Sequence, residues 1–401
     1  MKAVIIGASK EALHTIEKAH EHGLMVTALD GNPKAAGLEA ADKALVVDIS
    51  DEKATVLAVE REQPDFLLTV PIGRYLTTVG AVNDALKLPG ISRQTAVLCT
   101  DKLRFHQKLQ AENLRECSCY GIGKKQDELR GDEIFKRIEA EGLPLSFPAI
   151  LKPRFGSGSR GIHIVENMEE LKGALREMGE ESCVLEECVP GAEYGVDGAV
   201  VGNEFQMILL RKKENTPLPV RQAVAYFSVL PTDPIYEQIQ EYVKNIAVCL
   251  ELKECLFHAD IIIGEKGPFA IELSARPSGH NLHNLFTPLC TGVDMAEEYI
   301  KYRTGRDYSF QPGETKSMMI HYFDLEGKVK QVPEEECVRQ ILKDAAEGIS
   351  LDRWECHIRE DEVLGPVLDG HSIMGRGYFI LEGADQERMF LQAEKIKGLF
   401  F

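Results

Sequence analysis

The chain has 401 residues, with 64 acidic against 46 basic side chains and a net charge of −18; that is length enough for two to four structural units with buried cores. The acidic balance disfavours a general affinity for nucleic-acid backbones or anionic membrane surfaces, so an anionic ligand has to be held by a local cluster of donors. Apolar runs such as residues 2–6 and 66–70 fall far short of the roughly 20 residues that cross a bilayer, and the N-terminus has no secretory pattern, so a cytoplasmic protein is expected. The ten cysteines are scattered, the closest pair being Cys117 and Cys119, and reduced, mostly buried thiols are expected.

In chain order, residues 3–6 read as a buried strand ending in a turn at Gly7, followed by a polar helix over 10–22 and a strand over 25–30, which together make a β-α-β unit. Strands near 44–47 and 65–70 extend it to a parallel α/β domain over residues 1–98. His14, His20 and His22 on the first helix are expected to be solvated. A helical stretch from Thr100, with Thr100 or Asp101 as its cap, bridges to a second unit over 99–305. Within it, residues 147–165, 182–201 and 204–213 read as an antiparallel meander with glycine-rich turns. A helix over 235–250 leads to two strands joined by a short turn at 264–267. A C-terminal α+β region over 306–401 ends with a strand at 377–383 and a helix.

Three elements carry chemistry. In Lys152-Pro153-Arg154-Phe155-Gly156-Ser157-Gly158-Ser159-Arg160-Gly161, a glycine-rich hairpin offers backbone N–H groups unobstructed by Cβ atoms. Ser157 and Ser159 add hydroxyls, and Lys152 a point charge, a set suited to phosphate oxygens. Glu186 and Glu187 close an apolar strand, with Glu193 beyond a Pro190-Gly191 turn; carboxylates there can accept ribose hydroxyls, although a solvated strand edge explains them equally well. Asp260 and Glu272 lie on successive strands at similar height, which suits hard cations shared with phosphate oxygens. Both sit in otherwise apolar strands, where an unpaired charge is costly. Arg276 follows as a planar donor for a carboxylate or phosphoryl group.

Lys102, Lys152, the residues Glu186, Glu187, Cys188 and Val189, then Glu193, Asp260, Glu272 and Arg276 occur in the order and spacing of the ATP-grasp superfamily. The chain resembles the branch containing biotin carboxylase, carbamoyl phosphate synthetase, the formate-dependent purine-pathway transformylase and the L-amino acid ligases, over about residues 1–305. The resemblance implies an ATP-grasp fold of mixed α/β and α+β class, with a Rossmann-like N-terminal domain, a small lid subdomain at about 120–190 and a C-terminal α+β region. It implies an ATP-dependent carboxylate–amine ligase that forms an acyl-phosphate and releases ADP and phosphate. Its partners would be a small carboxylate and an amine, amino acids included; a homodimer is expected only from the general prevalence of two-fold oligomers. Lys102 and Lys152 would contact the ATP phosphates under the hairpin Gly156, Ser157, Gly158, Ser159 and Gly161. Glu186, Glu187, Cys188 and Val189 would hold adenine and Glu193 the ribose. Asp260 and Glu272 would bind two magnesium ions, manganese being an alternative, and Arg276 would steady the acyl-phosphate.

The chain departs from the family pattern at two positions: Ser274, a weaker candidate metal ligand through its hydroxyl or through water, stands where many members have Asn, and Asp260 where Glu is commoner. His280 and His283, three residues apart and expected on one helix face, are candidates for substrate contact or an acceptor base. Ser278 and Arg74 are candidate substrate contacts, Arg74 because it follows the end of a parallel strand. A nicotinamide dehydrogenase is disfavoured, because the first turn, Gly7-Ala8-Ser9-Lys10-Glu11-Ala12, lacks two of the three glycines that let pyrophosphate approach. A biotin-carboxylase- or carbamoyl-phosphate-synthetase-like enzyme acting through carboxy-phosphate is the nearer alternative. A non-catalytic nucleotide-binding protein is the alternative of another class.

Overall fold

The N-terminal strands β1 (Lys2–Ile6), β2 (Met25–Asp30), β3 (Lys43–Val46) and β4 (Phe66–Leu68) form a parallel sheet in the order β3-β2-β1-β4. The structure is a computed structural model and describes residues 1–401 except 141, 157–159, 218–219 and 346–347. β1 and β4 are continuous apolar runs because helices cover both faces of the sheet. At Gly7 the chain turns with φ +91°, and a Cβ there would lie 2.9 Å from Ile72 Cδ1, so only glycine fits. His14 and His22 are partly covered, whereas His20 is exposed as expected, and each of the three has a partner. His14 Nε2 lies 2.8 Å from Asp294, His20 Nε2 lies 3.1 Å from Asp42, and Arg306 reaches His22 Nδ1 at 2.6 Å. The helix Leu13–Glu21 thereby docks on the helix Met295–Arg303 and the residues that follow it.

The bridging stretch is two helices, Arg93–Thr100 and Lys102–Ala111, broken at Asp101. Asp101 takes an extended backbone conformation and caps the second helix by accepting the Arg104 N–H. The strands that follow do not form one meander. β5 (Cys119–Ile122), β6 (Ala149–Pro153), β7 (His163–Val165) and β8 (Cys183–Glu187) make a separate sheet in the order β5-β8-β6-β7. The amphipathic helix Met168–Met178, capped by Asn167, carries the chain back across this sheet, so β8 pairs with β6 rather than β7.

β9 (Ala192–Val201), β10 (Glu204–Asn215), β11 (Ala223–Val229), β12 (Cys255–Gly264), β13 (Gly267–Ser274) and β14 (Met318–Tyr322) belong to an eight-stranded sheet. After the two-residue strand β15 (Gly327–Lys328), the chain forms β16 (Ile349–Cys356), then β17 (Val363–Leu364), which pairs with β15, and β18 (Gly377–Gly383). The large sheet runs β13-β12-β9-β10-β11-β14-β18-β16, so strands from beyond residue 317 continue it. Among the described residues no helix is long and apolar enough to cross a membrane. Of the ten cysteines, Cys119, Cys183, Cys255 and Cys290 are buried, Cys337 is exposed and the others are partly covered.

Candidate functional site

The β12–β13 hairpin starts from the pair Gly264 and Gly267 and runs in register to Ile261 opposite Ala270. A bulge then shifts the register, so that Asp260 faces Glu272 directly. Without that extra residue Asp260 would face Ile271; the bulge brings the second carboxylate alongside the first. The side chains remain 26% and 32% exposed, open enough for a ligand to approach. Lys213 Nζ lies 2.6 Å from Asp260 Oδ2. His258, the register partner of Ser274, stands 3.9 Å from Glu272. Burial alone would raise the Glu272 carboxyl, but His258, Lys102 and Arg276 outweigh it and hold the group well below the ordinary carboxylate range.

Glu272, Ser274 and Arg276 line one side of a cleft whose other wall carries Lys102, Gly156 and Arg74. Lys102 Nζ donates to the Gly156 carbonyl at 2.8 Å, tying the start of the lysine-bearing helix to the base of the hairpin. Burial lowers the Lys102 pKa, opposed by Glu272. Arg276 Nη1 donates to the Pro277 carbonyl at 2.9 Å while its buried Nε has no protein partner, which leaves part of the guanidinium for a ligand. Arg74 is exposed and lies over the Tyr75 ring. Ser157, Gly158 and Ser159 of the hairpin lie outside the described residues.

Glu186 departs from the expectation of an edge carboxylate open to ribose. It is 3% exposed and pairs with Lys152, with Arg115 Nη2 at 2.7 Å and with His106 Nε2 at 3.1 Å. Burial works to raise its carboxyl, and the adjoining cations hold it well below the usual range. Lys152 is 4% exposed, so its ammonium sits beneath the cleft, positioned by Glu186. His106, Cys119 and Glu186 place possible metal-ligand atoms within 4.8 Å of one another, but a carboxylate already serving Lys152 and Arg115 disfavours a further cation. Past Glu186 the chain leaves β8 through Glu187, Cys188 and Val189, all partly exposed, and Cys188 donates its N–H to the Pro148 carbonyl at 3.0 Å. Glu193, at the start of β9, is held by Arg221 at 2.6 Å.

His280 and His283 do not share a helix face. His280 and Asn281 both take left-handed backbone angles, φ +61° and +57°, ahead of the π-helical turn Leu282–Phe286. The His280 N–H donates to Glu11 at 2.9 Å and its carbonyl accepts from Tyr322. His283 is fully buried, with Nδ1 2.5 Å from the Ser278 carbonyl, and burial pushes its pKa down to about 4. It is therefore a neutral core side chain without access to an incoming amine. Ser278 is also buried, its hydroxyl without a hydrogen-bond partner among the described residues, so it is not open at the surface as a substrate contact was expected to be.

Several residues around the site are not singled out by the sequence. Arg154, 1% exposed, binds both oxygens of Asp101 at 2.7 and 2.6 Å and also reaches Asp127 and Glu128. Through Asp101 it fixes the N-terminus of the Lys102 helix to the hairpin base. On β10, Arg211 and Lys213 are cations two residues apart, a spacing that places both on one face of the sheet. Arg211 is held by Asp197, which also accepts from Thr287 at 2.7 Å.

Residues 145–283 match the family model of the ATP-grasp domain. That stretch is similar to the ATP-grasp domain, and the fold of the chain is the ATP-grasp fold. It is similar to the L-arginine-specific L-amino acid ligase of Bacillus subtilis, 22% identical over 372 residues that cover 87% of this chain and 83% of that one. With the D-alanine–D-alanine ligase of Lacticaseibacillus casei it is 28% identical over 208 residues, 47% of this chain and 56% of the relative. Among solved structures, the L-amino acid ligase from Bacillus licheniformis superposes with a TM-score of 0.75 at 17% identity, covering 99% of this chain and 97% of that one. The phosphoribosylglycinamide synthetase from Anaerococcus prevotii gives 0.72 at 18% identity, covering 99% and 98%.

Proposed function

We propose that this chain is an ATP-dependent ligase that joins a carboxylate to an amine, with amino acids as its substrates. The observation that carries the reading is the facing pair Asp260 and Glu272, of which Glu272 lines a cleft that also holds Lys102 and Arg276. Relatives named as amino acid ligases supply the substrate class.

Two carboxylates, partly open and adjacent, are an all-oxygen donor set that fits magnesium or manganese. A divalent cation held there supplies positive charge to the transferring phosphoryl group. The residues of the chain do the rest. Lys102 provides a fixed positive charge for the phosphates, and Lys152, anchored on Glu186, adds its field from beneath. Residues 187–189 offer backbone groups to adenine, and Glu193 receives the ribose once Arg221 moves aside. Residues 156–161 close over the phosphates and exclude water, which would otherwise hydrolyse the intermediate.

The substrate carboxylate attacks the γ-phosphorus of ATP, the bond to the β-phosphate oxygen breaks, and ADP leaves. The amine then attacks the acyl carbon, its proton is lost, and phosphate departs as the amide forms. Arg276, with part of its guanidinium unspent, is placed to hold the acyl-phosphate and the charge on the tetrahedral state.

The test is nucleotide and phosphate release with magnesium-ATP and a panel of amino acids, supplied singly and in pairs. ADP and phosphate in step with dipeptide are expected, and Glu272→Gln should abolish them while leaving the circular dichroism spectrum unchanged. Release of AMP and pyrophosphate would overturn the acyl-phosphate reading.

A further inference from the structure

Lys213 reaches Asp260 from two strands away. In the order β12-β9-β10 the intervening strand presents Gly195 at the crossing point, in register with both Asp260 and Arg211. A Cβ at Gly195 would lie 3.2 Å from Arg211 Nη2 and 3.5 Å from Lys213 Cε, so the missing side chain is what lets the two cations cross β9. The Lys213 side chain is 8% exposed, and its Nζ stands 6.0 Å from the centre of the Tyr226 ring.

The other carboxylates of that sheet face are already engaged, Glu193 with Arg221 at 2.6 Å and Asp197 with Arg211 and Thr287. An ion arriving at Asp260 would leave Lys213 as a buried charge without a counter-ion, which is strongly unfavourable. Glu272 differs: among the described residues no lysine or arginine pairs with it directly, and its carboxylate opens into the cleft.

We propose that the Lys213 ammonium takes the place of a second divalent cation at the paired carboxylates, so that this site holds one metal ion, on the Glu272 side. The inference rests on the ligase reading and narrows its donor set: Glu272 is the metal ligand of the pair, and Asp260 is the counter-ion of Lys213. It also accounts for the two departures from the family pattern. The shorter Asp260 keeps its carboxylate near the sheet, within reach of Lys213, and a site for one ion does not need a strong amide ligand at Ser274.

The experiment counts Mn2+ ions per chain by loss of the free Mn2+ electron paramagnetic resonance signal, at saturating AMP-PNP. One ion is expected for the wild type and for Lys213→Arg, and two for Lys213→Met. Two ions on the wild type, or one on Lys213→Met, overturns the assignment. Asp260→Asn decides the matter if Lys213→Met does not fold. A loss of Mn2+ affinity smaller than about a hundredfold, the range expected for a group outside the coordination shell, supports the proposal, whereas a larger loss marks Asp260 as a metal ligand and overturns it. A wild type that binds no Mn2+ together with the nucleotide overturns the ligase reading itself.

Discussion

At Glu186 a single buried carboxylate balances Lys152 and Arg115, with the His106 ring against it as well. Glu186→Gln would leave two buried cations facing a neutral amide, and the expected loss is about 3–5 kcal/mol of folding stability. Urea denaturation checks this, and an unchanged midpoint would show that the charge balance does not matter. Because Glu186 also positions Lys152, whatever folded Glu186→Gln protein remains should show a raised KM for ATP. The buried histidines predict a pH response. Burial pushes His283 down to about 4 and His106 to about 3, against about 6.5 when unfolded. Between pH 6.5 and 4 the unfolded chain therefore binds protons that the folded chain excludes, so stability falls as pH falls, by up to about 1.4 kcal/mol per unit for each histidine. Thermal melts at pH 7.5 and 4.5 should show this drop, and His283→Gln should show a smaller one. An equal drop in that variant would remove His283 from the explanation.

The β12–β13 hairpin shows what is legible in a sequence and what is not. Asp260 and Glu272 can be paired from their positions along the chain, because a short turn fixes the register of the two strands flanking it. Counting from the turn falls one residue short, since a bulge announces itself by no residue type in Ile261-Ile262-Ile263 or Ala270-Ile271. The Lys213 contact is not legible at all: it spans 47 positions and depends on β9 passing between the two strands. Likewise Glu193 is recognisable as a carboxylate at a turn, but its partner Arg221 comes from a loop whose path no local pattern fixes. The hairpin over 156–161 yields a prediction at this scale. Gly161 has φ +66°, and a Cβ there would lie 3.0 Å from Pro153 Cγ, so Gly161→Ala adds about 1 kcal/mol or more of strain at the hairpin's return. The expected result is a raised KM for ATP with little change in melting temperature, since Gly161 is exposed and outside the buried cores. Unchanged ATP kinetics would mean that the hairpin does not close over the nucleotide.

Across the whole molecule, the large sheet joins the site to the C-terminal residues. β11 sits between β10 and β14, so a chain ending at residue 312 would turn an interior strand into an edge. Both faces of β11 would be uncovered. Phe227 packs with Phe323, Phe379 and Phe400 on one side, while Tyr226 packs with Phe286, Ile320 and Tyr322 on the other. At about 2 kcal/mol for each buried aromatic side chain, exposing Phe227, Tyr226 and Phe286 alone removes an amount comparable with the roughly 5–15 kcal/mol of net stability of a typical domain. An apolar edge with unpaired backbone groups is also a template for aggregation. The loss reaches the cleft directly. Tyr322 donates to the His280 carbonyl, and Arg160 of the hairpin meets Asp369 at 3.5 Å, so the segment after Arg276 and the hairpin both lose a partner. A fragment of residues 1–312 is therefore expected to aggregate or be degraded, even though it contains every residue proposed to touch ATP. Size-exclusion chromatography and urea denaturation of that fragment are the check. A monomer that unfolds at the same urea concentration as the whole chain would show that the first five strands of the large sheet stand without the last three.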